Sequence, residues 1–194
     1  MTTVRNLAAG VRSMTSNAFL VGGDRPVLVD AGQGFDAVAR IEDATGELDA
    51  VVLTHTHPDH IGNVEPVVEA FDVDVWGFDP DHTLVDHAIG DGDTVRLGDD
   101  DFEALHTPGH KDDHLCLYAR DAGILFAGDL VFADGGFGRT DLTEGDRATL
   151  VDSIERLLAT VDETLSAMYV GHGPAVEIDP GRHIEAALQA ARFG

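Results

Sequence analysis

The segment LTHTHPDHIGN, residues 53 to 63, places three histidines and an aspartate within six consecutive positions. His55 and His57 are two residues apart on a backbone that reads as extended, so both rings can face the same side. Asp59 and His60 follow a proline that forces a turn. Clustered imidazoles repel one another once protonated, whereas neutral imidazole and carboxylate are common metal ligands. The cluster therefore predicts one half of a metal site.

Three further donors follow later in the chain, each at the end of an apolar run. His110 ends HTPGH, Asp129 ends GILFAGD, and His172 follows AMYVG. A glycine stands beside each of them and lets the backbone come close to a bound group. Any one of these residues alone reads as a loop histidine or a helix-capping aspartate. Together with the cluster, they predict a complete metal site.

The elements that must position these donors are short strands and amphipathic helices. Alternation and apolar runs predict a hairpin from NAFLV and PVLVD, then strands at LDAVVLT, DVDVWGF, DTVRLG, DFEALHT, HLCLYA, GILFAGD and SAMYVGH. Helical spacing predicts helices at GFDAVARIEDA, GNVEPVVEAF, DHTLVDHAI, RATLVDSIERLLATV and GRHIEAALQAARF. The glycine-rich segment 134–146 predicts a loop. Two groups of strands, each accompanied by helices, predict a single α/β domain over residues 1–194, with sheets inside and helices outside.

The charge balance excludes some partners. The chain has 36 acidic and 12 basic residues, a net charge of −24, and Lys111 as its one lysine. Such a field repels phosphates, so we expect no nucleic-acid partner. Dispersed aspartate with almost no lysine resembles the composition of proteins from extreme halophiles. One cysteine, Cys116, allows no intramolecular disulfide, and the absence of a signal core or long apolar run leads us to expect a cytoplasmic protein with no membrane partner.

The motifs THTHPDH, TPGH, FAGD and GHGP, in this order, resemble those of the metallo-β-lactamase superfamily. The resemblance covers nearly the whole chain and implies a four-layer αββα sandwich with a cleft for two metal ions. It implies that the first ion is bound by His55, His57 and His110, that the second is bound by Asp59, His60 and His172, and that Asp129 bridges the two. Nitrogen and oxygen ligands suit zinc, with iron or manganese as alternatives.

The segments GRTD and GHGP resemble the short glyoxalase II-like branch, whose members lack an extra C-terminal helical domain. This likeness implies hydrolysis of a small hydroxyacyl thioester by a hydroxide that bridges the ions, with Asp59 and Asp129 as the catalytic carboxylates. A thiolate leaving group with a pKa of about 8.5 needs no strong general acid. Arg139 is a candidate for binding a substrate carboxylate or for a loop salt bridge. His114 is a candidate for orienting a metal ligand or for a surface position at a strand start.

Other reactions of the superfamily stay open. A lactone hydrolase would use the same ions. A persulfide dioxygenase would hold a single iron with His57, His110 and Asp129, although that branch tends to carry HDY where this chain has GHGP. The net charge of −24 argues against an RNA-processing nuclease, because it would repel the phosphates of RNA. The sequence leaves the acyl group, the thiol carrier and the oligomeric state open.

Overall fold

The computed structural model describes residues 2–193 of the chain. The strands are β1 Thr3–Asn6, β2 Phe19–Gly22, β3 Val27–Val29, β4 Ala50–Val52, β5 Asp74–Gly77, β6 His87–Ala88, β7 Thr94–Leu97, β8 Asp100–His106, β9 Leu115–Ala119, β10 Ile124–Gly128 and β11 Ala167–Val170. The helices are α1 Ala37–Ala44, α2 Pro58–Ile61, α3 Val64–Phe71, α4 Arg147–Thr160 and α5 Pro180–Phe193. Among the described residues, no helix combines the length and apolarity needed to cross a membrane.

The chain divides into two compact units. The first comprises Met1–Ile89 and Val95–Asp101, and the second comprises Gly90–Thr94 and Phe102–Gly194. Each unit has its own cluster of buried apolar side chains. Each therefore removes apolar surface from water around a core of its own.

The first unit is built on a sheet with the strand order β1-β2-β3-β4-β5-β6. Strands β2 and β3 form the predicted antiparallel hairpin, and the sheet continues in parallel through β4, β5 and β6. All three residues of β4 are buried, which explains its continuously apolar sequence. Helix α1 buries Ala37 and Ile41, and α3 buries Val64 and Val67. The predicted helices at both places are confirmed.

The second sheet has the order β11-β10-β9-β8-β7. All five residues of β9 are buried, and β10 runs parallel to β11. Helix α4 covers the core of the second unit with Leu150, Ile154 and Leu157 at helical spacing. Asp146 caps the N-terminus of this helix, because its side chain accepts a hydrogen bond from the Thr149 amide at 2.7 Å.

The predicted helix at DHTLVDHAI is wrong. The segment forms turns and then strand β6. The Asp86 amide donates to the Val75 carbonyl at 2.9 Å, and the Val75 amide donates to the Asp86 carboxylate at 2.9 Å. These bonds place His87 and Ala88 on the edge of the sheet beside β5. Pairing with β5 therefore outweighs the helical spacing of the segment.

Candidate metal centre

The histidine cluster lies where β4 gives way to a single helical turn. Residues 53–57 have no helical structure, and α2 begins at Pro58. Proline suits this first helical position because its missing N–H would have no partner within the helix. His57 precedes it with φ −66° and ψ 146°, an extended conformation. The backbone thus changes direction within the cluster, as the sequence predicts.

This turn brings the four donors of the first unit together. The Nε2 atom of His55 lies 3.1 Å from the Nδ1 atom of His57, and the His55 and His60 ring centroids are 4.0 Å apart. A ligand oxygen of Asp59 lies within 4.8 Å of a ring nitrogen of His60. His55 and His60 are buried. Neutral imidazole is the form of histidine that binds metals.

Asp30 is a residue of this site that the sequence analysis missed. Its carboxylate accepts hydrogen bonds from the Thr54 amide at 2.8 Å and the Thr54 hydroxyl at 2.7 Å. It also lies 2.8 Å from the Nδ1 atom of His60. This contact assigns the Nδ1 hydrogen to the bond with Asp30, so Nε2 is the His60 atom that can bind an ion. The signal was present in PVLVDAG, where an aspartate and a glycine end an apolar strand.

In the second unit, two histidine donors converge on one carboxylate oxygen of the third donor, Asp129. The Nε2 atoms of His110 and His172 each lie 3.4 Å from Oδ2 of Asp129. Asp129 follows β10 and His172 follows β11, so the parallel pairing of these strands brings the two residues to one edge of the sheet. The glycine before His110 has φ +119°, a conformation that side chains other than glycine rarely adopt.

The position of the hydrogen on the His110 ring indicates whether this donor set can bind a metal ion. Its Nδ1 atom lies 2.8 Å from the backbone oxygen of Arg139. A carbonyl only accepts hydrogen bonds, so Nδ1 carries the hydrogen and a neutral ring has its lone pair on Nε2. That lone pair faces a carboxylate oxygen at 3.4 Å, which is unfavourable without a positive charge between the two atoms. A divalent cation supplies such a charge, so the donor set fits a metal.

The backbone carbonyl of Arg139 contacts His110, but the Arg139 side chain does not take part in this contact. The guanidinium forms a two-pronged ion pair with Asp141, at 2.9 and 2.8 Å. The hydrogen bond and charge of Asp141 raise the pKa of Arg139 above its ordinary value. This pair is the loop salt bridge that the sequence left open. Binding of a substrate carboxylate by Arg139 stays a prediction.

Lys111 and His114 follow His110 in the same loop. Burial alone would lower the pKa of Lys111, but the hydrogen bond and charge of Glu144, at 2.6 Å, and the charge of Asp113 raise it. Lys111 therefore stays cationic. His114 is fully buried, in contrast to the surface position that the sequence left open, and its contacts reach Asp129.

Each unit thus collects the predicted donors that belong to it. The first unit brings together His55, His57, Asp59 and His60, and the second brings together His110, Asp129 and His172. All are nitrogen or oxygen donors, a set that suits zinc, iron or manganese. The assignment of individual residues to individual ions stays a prediction.

Comparison with known proteins identifies the family. Residues 12–172 match the model of the metallo-beta-lactamase superfamily. The probable metallo-hydrolase YqgX of Bacillus subtilis is 33% identical over 184 residues, which cover 82% of this chain and 85% of that protein. A hydroxyacylglutathione hydrolase of Chromohalobacter salexigens is 36% identical over 153 residues, which cover 77% of this chain and 57% of that protein. The chain thus spans somewhat more than half of that hydrolase.

Solved structures confirm the predicted fold class. The BLEG-1 B3 metallo-beta-lactamase aligns with a TM-score of 0.76 at 27% identity, over 100% of this chain and 99% of that one. TTHA1623, solved in a di-iron-bound form, aligns with a TM-score of 0.72 at 32% identity, over 90% of this chain and 92% of that one. Histidines and aspartates of the superfamily's motifs cluster within each unit. The chain belongs to the metallo-β-lactamase superfamily of metal-dependent hydrolases.

Proposed function

We propose that this protein is a di-metal hydrolase of a small thioester, of the hydroxyacyl-thiol type. The observation that carries the proposal is the convergence of His110 and His172 on one oxygen of Asp129, each at 3.4 Å. A carboxylate contacted by two imidazoles from different loops can bridge two ions. Similarity to hydroxyacylglutathione hydrolases supports the thioester as substrate.

In this proposal the two sets of donors act together. His55, His57 and His110 hold one ion, Asp59, His60 and His172 hold the other, and Asp129 is shared. We propose zinc as the metal, although the likeness to a protein solved with two irons makes iron an alternative. Adjacent divalent ions would activate water at neutral pH and polarise the substrate carbonyl.

Other residues of the chain orient the histidine ligands. Asp30 orients His60 through its Nδ1 atom, and the Arg139 carbonyl does the same for His110. Such outer contacts set the tautomer of a metal-binding histidine. The leaving thiolate, with a pKa of about 8.5, departs without a proton donor, so the chain needs no additional general acid.

The decisive experiment compares thioester cleavage with oxygen consumption. We expect about two metal ions per chain by metal analysis and release of thiol from a hydroxyacyl-glutathione thioester without oxygen. Removal of an outer contact to a metal ligand costs about 10–100-fold in activity. His172→Ala removes a proposed ligand itself, so its activity should fall by at least that factor. His87→Ala is the matched control, because His87 is 45% exposed in its side chain and His172 is 38% exposed.

Three outcomes would contradict the proposal. Oxygen uptake with a persulfide, one iron per chain and no anaerobic release of thiol would indicate a dioxygenase. Faster cleavage of a hydroxy-acid lactone than of any thioester would indicate a lactone hydrolase. Equal activity in the two histidine variants would show that His172 has no part in the reaction.

A further inference from the structure

Asp129 stands at a point where the regular hydrogen bonds of β10 end. The register of β10 against β11 shifts between Phe126 and Gly128, and Gly128 has φ +48°. The Gly171 amide still donates to the Gly128 carbonyl at 2.7 Å, but the Asp129 amide has left the ladder. Asp129 is buried, and a buried amide without a partner is costly. Something other than the sheet must bind this N–H.

His114 provides the acceptor. The Asp129 amide donates to its Nε2 atom at 2.9 Å, from a ring that is fully buried. A ring nitrogen that accepts a hydrogen bond carries no hydrogen, so in the neutral ring the hydrogen is on Nδ1. That Nδ1 atom lies 2.8 Å from the hydroxyl of Thr107. The Asp129 amide therefore selects the tautomer of His114 with its hydrogen on Nδ1. This Nδ1–H group donates a hydrogen bond to the Thr107 hydroxyl oxygen.

The Thr107 hydroxyl extends this hydrogen-bond network to two further groups. It lies 3.4 Å from Sγ of Cys116 and 3.5 Å from the Leu105 carbonyl. The Thr107 amide also donates to the His114 carbonyl at 2.9 Å. The side chains of Thr107 and His114 are fully buried. The imidazole is thus held at each nitrogen and through its backbone, so it presents Nε2 in one fixed direction.

We infer that His114 is a positioning residue, whose Nε2 atom holds the Asp129 backbone so that Oδ2 stays directed at His110 and His172. The inference rests on the proposed function in one respect, namely that Asp129 binds metal. A side chain pivots about its own backbone, so a loose Asp129 amide would displace the carboxylate. Misplacement of a ligand by a fraction of an ångström weakens a metal site.

The first test uses the metal-free protein. Nitrogen-15 spectra should show Nε2 of His114 without a bound hydrogen and Nδ1 with one, and hydrogen exchange at the Asp129 amide should be slow. His114→Phe removes the acceptor and fills much of the volume, so we expect faster exchange at Asp129. His114→Gln places an amide oxygen near the former Nε2 position and should restore part of the protection. A wild-type ring with its hydrogen on Nε2 would overturn the inference.

The second test measures metal affinity by competition of zinc with a chelator. His114→Phe should weaken zinc binding about 10–100-fold, the range for outer contacts to metal ligands, and His114→Gln should recover part of the loss. His87→Phe, which alters an exposed histidine, should leave the affinity unchanged. The measurement is made well below the thermal midpoint, where a residue that only stabilises the fold would have no effect. Unchanged affinity in folded His114→Phe would overturn the inference.

Thr107→Val provides a milder variant if His114→Phe does not fold. It keeps the shape of the side chain and removes the oxygen that binds Nδ1, so the tautomer preference should weaken and the Asp129 amide should exchange faster. Unchanged spectra would count against the inference. The spectra and the exchange rates need no metal, so they test it even if the wild-type protein fails to cleave thioesters.

Discussion

Asp30 shows how a single residue can contact a candidate site without belonging to one of the sequence motifs. It adopts φ +55°, a conformation that costs energy for any residue other than glycine. Its carboxylate contacts the Thr54 hydroxyl and amide and the His60 ring. These contacts offset the strain, and they orient the imidazole of a candidate metal ligand, His60. Local strain at this residue thus accompanies its contact with the candidate site.

Cys116 illustrates the opposite case at the same scale, a reactive group made inert. Burial raises the pKa of its thiol from 9.0 to about 12. Since only the thiolate is nucleophilic, the folded protein should not react with a thiol reagent at pH 9, where an exposed cysteine would be half ionised. The expected result is no modification by mass spectrometry until denaturant is added. Rapid labelling of the native protein would show that β9 opens readily.

At the scale of elements, the turn that carries His110 depends on close packing against α4. The Asp146 amide donates to the Gly109 carbonyl at 2.8 Å. A Cβ atom at Gly109 would lie 2.2 Å from the Leu150 amide nitrogen. No side chain fits in that space, so the helix and the turn can approach only through glycine. The packing of α4 thereby helps to position His110, a candidate metal ligand.

Gly109→Ala should consequently damage both the fold and the site. We expect a loss of at least about 3 kcal/mol in the free energy of unfolding, from the clash together with an unfavourable φ. Gly92→Ala is the matched control: Gly92 has φ +82° with nothing within 4 Å of its Cβ position, so it should lose only about 1–2 kcal/mol. Denaturant titrations measure both. Equal losses would show that α4 moves aside without cost.

At the scale of the whole molecule, the dominant property is the net charge of −24. Repulsion among dispersed carboxylates destabilises a compact state, and salt screens it. The screening length falls from about 10 Å at 0.1 M salt to about 3 Å at 1 M. The composition thus favours a protein adapted to concentrated salt, which is a proposal about its physiology.

The thermal midpoint should rise when KCl is increased from 0.1 to 1 M. Replacing three exposed glutamates with glutamine, at Glu42, Glu163 and Glu185, lowers the magnitude of the net charge and should make the dependence shallower. Differential scanning calorimetry at several salt concentrations measures both slopes. A midpoint that stays constant or falls in molar KCl would contradict a halophilic adaptation.

The sequence by itself indicated the candidate donors and their places after strands, and it determined the family and most elements, because these depend on local patterns. Apolar runs, turn residues and motif spacing identify β4, β10 and β11 and the residues that follow them. The helix predicted at 81–89 was wrong for the same reason, since a local pattern does not contain the partner strand β5.

Only the tertiary structure decided which side chains support the donors. Asp30 contacts residues 24 and 30 positions away, and His114 contacts Asp129 across 15 positions. The pairing of Arg139 with Asp141 was equally open, because a guanidinium can turn towards substrate or neighbour. Such contacts depend on which strands pair and in which register. Burial then favours these contacts, because a polar group that is removed from water needs a hydrogen-bond partner within the protein.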